Sequence, residues 1–155
     1  MPATIETPHL TVNASITETT VAPGERISVV AQMVPRRSMH VYAPGKHTYQ
    51  VVRLVIDPAA WLRVHETRYP AAEQYHFKPL DERVEVYSKP FRLTRDVTIL
   101  ATPDMQKLIA TMPTVVIAGA VEYQACDDKV CYVPARVPFS FALATRSLDR
   151  RPPRK

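Results

Sequence analysis

The chain has 155 residues, 46% of them hydrophobic and 23% charged, with a formal net charge of +5. That length fits one domain able to bury a core without help from disulfides or metals. No apolar run approaches the roughly 20 residues of a membrane-spanning helix. The basic residues are scattered among acids rather than set in an aromatic-interleaved stripe, which argues against a nucleic-acid surface. The 15 prolines against 3 glycines suit turns between short strands, and so an all-β protein.

The opening segment MPATIETPHL lacks the basic and apolar regions of a signal peptide, so the expectation is a cytosolic protein or a mature chain without its leader. In HLTVNASIT, Leu10, Val12, Ala14 and Ile16 alternate with polar residues, the period of a half-buried strand. Pro23-Gly24 presets a turn, and RISVVAQMV alternates again through Ile27, Val29, Ala31 and Met33. MHVYAPG gives a short strand, and YQVVRLVI a β-branched one that stops at Asp57-Pro58. WLRVHETRYP reads as a strand in its first half and exposed chain in its second. AAEQYHFKPLDE has no sustained period and is expected to be a loop carrying the rings of Tyr75, His76 and Phe77.

RVEVYSKPFRL and DVTILAT are two further expected strands, and TPDMQKLIAT a helix of one or two turns starting at Pro103. TVVIAGAVEYQA and RVPFSFALA complete a set of about nine short strands with no internal repeat, which predicts a β-sandwich. Residues 1–145 are expected to form this single domain, and 146–155, RSLDRRPPRK after Thr145, a basic disordered tail.

Both cysteines lie in YQACDDKVCYVP, with DDKV between Cys126 and Cys131. A four-residue connection suits a hairpin, whose facing residues have Cα atoms about 4.5–5.5 Å apart, within reach of a disulfide. Closing so short a ring contributes only about 2 kcal/mol of loop entropy. A staple would do better linking two sheets, whereas a sulfur at a loop edge is accessible to a partner thiol. Three readings remain open here: a redox pair, a structural hairpin clip, and a metal site. The last needs more ligands than two cysteines, and His9, His40, His47, His65 and His76 are dispersed. A copper site drawing on Met39 is the remaining form of it.

The segment VEYQACDDKVCYVP resembles the N-terminal periplasmic domain of DsbD-type thiol–disulfide interchange proteins. VAPGERISVVAQMV, MHVYAPG and YHFKPLDERVEVY agree with it in order, so the resemblance spans roughly residues 21–143. It implies an immunoglobulin-like sandwich and a domain that carries reducing equivalents outside the cytoplasm. The implied donor is a membrane-embedded thiol pair. The implied acceptors are thioredoxin-like proteins, such as disulfide isomerases or cytochrome c maturation factors. It further implies a cap over the cysteines, assigned by position to Phe77 with Tyr75 and His76 beside it, and a pocket lined by Tyr42 and His40. Cys131 is expected to form the intermolecular bond and Cys126 to resolve it. A monomer without cofactor or metal is expected.

Overall fold

In a computed structural model the described residues are 3–147. They form thirteen strands and one α-helix. The first seven strands are β1 (Ala3–Glu6), β2 (Leu10–Ile16), β3 (Thr20–Val21), β4 (Arg26–Pro35), β5 (His40–Tyr42), β6 (Arg53–Ile56) and β7 (Leu62–Arg68). Then come β8 (Glu73–Phe77), β9 (Glu82–Tyr87), β10 (Phe91–Ile99) and α1 (Pro103–Ala110). The chain finishes with β11 (Thr114–Tyr123), β12 (Ala125–Cys126) and β13 (Ala135–Thr145).

Two sheets make the sandwich, ordered β1-β2-β4-β10-β7 and β3-β13-β11-β6. The alternation read in β2, β4 and β13 is the burial alternation of these strands. Leu10, Val12, Val29, Met33 and Leu93 from one sheet join Leu54, Ile117, Val121 and Leu143 from the other in one buried cluster. Each large apolar side chain so buried contributes about 1.5–3 kcal/mol, so the core holds the domain without its cysteines. Where β11 passes β6, Gly119 leaves no room for a side chain: a Cβ there would lie 1.9 Å from the Val55 carbonyl oxygen.

A third, small sheet ordered β12-β5-β9-β8 stands at one end of the sandwich and positions the cysteines. It grows out of the large sheets. The β4–β10 pairing resumes as β5–β9, and β11 leads into β12, which pairs with β5. The breaks fall at proline-bearing corners. Met39 N–H bonds the Arg36 carbonyl in a turn after Pro35, and Pro90 separates β9 from β10.

Several expectations need correction. The strands number thirteen rather than nine, because β1, β3, β8 and β12 are short or half-exposed and carry little periodic signal. The break expected near Thr94 lies instead at residues 88–90. β10 runs unbroken through Arg95 and Asp96 because it pairs with β4 in continuous register. The shift against β7 places the extra residue on β7, and Asp96, on the outward face by strand alternation, meets Arg26 and Arg68. β7 continues to Arg68 as a strand. The segment expected as a cap loop is a hairpin, β8 pairing with β9 from Glu73↔Val86 to Phe77↔Glu82, joined by a 3-10 turn at Lys78–Leu80. The helix is two turns long, with Pro103 in its first turn and the Thr102 hydroxyl accepting from Met105 N–H. Arg146, expected as the first residue of the tail, is anchored to Val21 and Glu25, and residues 148–155 of that expected tail lie outside the described residues.

Gly119→Ala should lower stability by about 1–3 kcal/mol, the usual cost of overpacking. A urea denaturation midpoint equal to that of the parent chain would contradict the close passage of β11 and β6.

Candidate functional site

Pairing places three residues in one row across the small sheet. His40 on β5 lies opposite Cys126 on β12, and Cys126 lies opposite Cys131. Directly opposed residues project their side chains to the same face, so the imidazole and both sulfurs share one side. The cysteines are joined as a disulfide, their Cα atoms 4.0 Å apart. Exposure separates them: Cys126 is 1% exposed, whereas Cys131 is open to solvent.

The turn between them is built by Asp127. Its Oδ1 accepts from the backbone N–H of Lys129 and of Val130, both at 2.8 Å, and its Oδ2 from the Tyr132 hydroxyl at 2.8 Å. The N–H groups of Val130 and Lys129, with the Tyr132 hydroxyl, hold the Asp127 carboxyl below its ordinary value. Tyr132 in turn lies against the His9 ring, centroids 4.7 Å apart. The hairpin is thereby braced on the side away from the pocket.

On the pocket side the Tyr42 hydroxyl donates to Cys126 Sγ at 3.2 Å and lies 3.6 Å from Cys131 Sγ. Its ring stacks on Tyr49, centroids 4.4 Å apart and nearly parallel. Burial, then the neighbouring Tyr49 and Glu82, push the Tyr42 phenol up to about 12, so it stays a donor near neutral pH. His40 is 4% exposed, its ring tilted against Tyr75 with centroids 4.5 Å apart and edge-on to Tyr42 at 5.5 Å. Burial pushes its imidazole below the ordinary value, against the pull of Asp128, Asp127 and Glu73, which leaves it neutral at pH 7.

The β8–β9 hairpin covers this arrangement. Tyr75 and Phe77, two residues apart, face the pocket, which holds about 80 Å³ against the disulfide. The Tyr75 hydroxyl donates to Asp128 Oδ1 at 2.9 Å, tying the cover to the cysteine turn. Of the residues expected here, Phe77, Tyr75, Tyr42 and His40 line the pocket with the two cysteines. His76 does not. Strand alternation turns it to the other face, where its Nε2 lies 2.7 Å from Asp81 Oδ1. Sequence reasoning missed Tyr49 and Val84 in the pocket lining, and the separate duties of Asp127 and Asp128. An aspartate two residues before an N–H that closes a turn is a recognisable Asx signal, whereas nothing local marks Tyr49. No group of three or more metal-ligating side chains occurs among the described residues.

A two-sheet sandwich carrying one half-buried, half-exposed cysteine pair under a hydrogen-bonded cover defines an immunoglobulin-like thiol–disulfide exchange domain. Residues 12–142 match the N-terminal domain of thiol:disulfide interchange protein DsbD, and the chain belongs to that family. Among solved structures it is similar to the N-terminal periplasmic domain of ScsB from Proteus mirabilis, at 11% identity and a TM-score of 0.58. That similarity covers 91% of this chain and 49% of the other, so this chain spans about half its length. It is also similar to the reduced DsbD N-terminal domain of Neisseria meningitidis, at 14% identity and a TM-score of 0.52, covering 84% and 85% of the two chains. No curated protein sequence matches the chain.

Tyr75→Phe removes the bond between cover and turn while keeping the ring. A hydrogen bond of net 0.5–1.5 kcal/mol predicts that dithiothreitol will reduce the disulfide about two- to tenfold faster in this variant. An unchanged rate would show that the Tyr75–Asp128 contact does not hold the cover closed.

Proposed function

We propose that the chain passes reducing equivalents outside the cytoplasm, from a membrane-embedded thiol donor to thioredoxin-like partners, through Cys126 and Cys131. The acceptors are of the disulfide-isomerase or cytochrome c maturation type, and the domain acts as a monomer in the periplasm, the compartment of the related ScsB domain. The observation that carries this reading is the unequal exposure of the two sulfurs, joined to membership of the interchange family.

The roles follow from access. In the reduced domain Cys131 loses its proton and its thiolate attacks the partner disulfide, because it is the sulfur a second protein reaches. One partner sulfur leaves as a thiolate and the other is held in a mixed disulfide with Cys131. Cys126, buried beside it, then attacks Cys131 Sγ and expels the partner, which departs with both electrons as a dithiol. Cys126–Cys131 is left oxidised, and the donor reduces it again. Tyr42 donates to Cys126 Sγ throughout and steadies the sulfur as charge develops there. Phe77 and Tyr75, on the edge strand β8, cover the pair until a docking partner displaces them.

Reduced Cys126→Ser, mixed with an oxidised thioredoxin-like protein, should accumulate a stable mixed disulfide through Cys131. Reduced Cys131→Ser, left with only the buried sulfur, should trap on the order of a tenth as much or less. Equal trapping by the two variants would reverse the assignment of roles. Absence of any trapped species in both would contradict exchange altogether.

A further inference from the structure

The order of attack leaves one proton without a destination. Cys131 is exposed and gives its proton to water. Cys126 is buried, yet it too must become a thiolate before it can resolve the mixed disulfide. A partner docked on Cys131 closes the site further.

The groups around Cys126 narrow the choice of acceptor. The Tyr42 hydroxyl touches Cys126 Sγ, but its phenol keeps its proton to about pH 12 and donates. Both oxygens of the Asp127 carboxylate already accept, from Lys129 and Val130 N–H and from the Tyr132 hydroxyl. Asp128 accepts from Tyr75, and Glu73, on β8, accepts from Ser88 N–H and hydroxyl. Tyr75 is itself pushed up by burial and by Asp128, and so remains protonated. Lys129 sits on the turn as a cation with nothing to accept. Glu82 acts on Tyr42 and Tyr49 but does not line the pocket, whereas His40 lies directly opposite Cys126 in the β5–β12 register, lines the same pocket, and is buried with it.

We propose that His40 is the proton acceptor for Cys126 in the resolving step. This rests on the exchange reading above and adds a base to it. The Cys126 thiol proton passes to a neutral imidazole nitrogen, and the thiolate so formed attacks Cys131 Sγ. The Cys131–partner bond breaks and the electron pair leaves on the partner sulfur. The imidazolium then returns its proton to that departing thiolate or to solvent, which restores neutral His40. Asp127, Asp128 and Glu73 favour the transient imidazolium, while burial favours its discharge. The tilted contact with Tyr75 and the edge-on contact with Tyr42 confine the ring, so the cover also helps to orient the base.

The test uses the reduced full chain with oxidised glutathione as the disulfide, quenched by acid and followed by mass. In the parent chain the glutathione adduct on Cys131 should form and decay, with a decay rate that changes little from about pH 7 to 8, above the ordinary imidazole range, because the lowered imidazole is neutral there. His40→Tyr keeps a ring against Tyr75 without a base, and His40→Gln keeps a polar group without one. In both, adduct formation should stay within about twofold of the parent, while decay at pH 7 slows by at least about tenfold and recovers as pH rises. Decay equal to that of the parent at pH 7, or formation and decay slowed together, would overturn the proposal. If neither variant folds, the parent profile decides: decay rising in proportion to hydroxide from about pH 7 to 8 overturns it. Should no adduct form even in the parent chain, the exchange reading falls first and this inference with it.

Discussion

Two backbone pairings govern the rest of the site. His40↔Cys126 joins a strand continued from one large sheet to a strand continued from the other, and Cys126↔Cys131 closes the hairpin beside it. Because β5 extends β4 and β12 follows β11, the sandwich itself fixes where the first sulfur stands. Everything else is arranged around that row. Tyr42, two residues along β5 from His40, falls on the same face and reaches both sulfurs. A one-residue slip of β5 would present Val41 to the sulfurs instead.

The same framework explains why the disulfide is free to open. The core lies between the two large sheets and owes nothing to the cysteines, whose short ring contributes only about 2 kcal/mol of loop entropy. The turn keeps its shape through the Asp127 hydrogen bonds and the Tyr132–His9 contact, none of which involves sulfur. The scaffold is therefore positioned to hold the two sulfurs together whether or not they are bonded. Within the cover, β9 is fixed by its pairing with β5 and by buried Val84, Val86 and Tyr87, whereas the edge strand β8 is held by its pairing with β9, the Tyr75–His40 ring contact and one exposed hydrogen bond to Asp128.

Much of this was legible in the sequence, for particular physical reasons. The alternation in β2, β4 and β13 is the direct imprint of one buried face, and the sandwich follows from it. The cysteine hairpin follows from a four-residue connection of turn-forming residues. β8 was not legible, because it is an edge strand of a small sheet with most of its residues half-exposed, so the alternation of Tyr75 and Phe77 against His76 left no hydrophobic period. The same edge position leaves His76, which faces the other way towards Asp81, without a sequence signal that separates it from Tyr75 and Phe77. β10 hid its continuity because Thr94, Arg95 and Asp96 look like a polar loop. Long-range pairing with β4 and β7 makes that stretch a strand, and Arg26 and Arg68 answer the charge of Asp96. Tyr49 reaches the site by stacking on Tyr42 from a loop, a contact that no local pattern announces.

Unequal burial of two bonded sulfurs under an aromatic cover is the arrangement of a bond meant to be exchanged rather than kept. Its equilibrium potential tests this most directly. The protein is equilibrated in glutathione buffers of graded ratio, and the fraction of the Cys126–Cys131 disulfide is read by thiol labelling and mass. The account predicts a potential in the range of exchange proteins, about −120 to −270 mV. A value below about −300 mV, that of an inert structural disulfide, would contradict it.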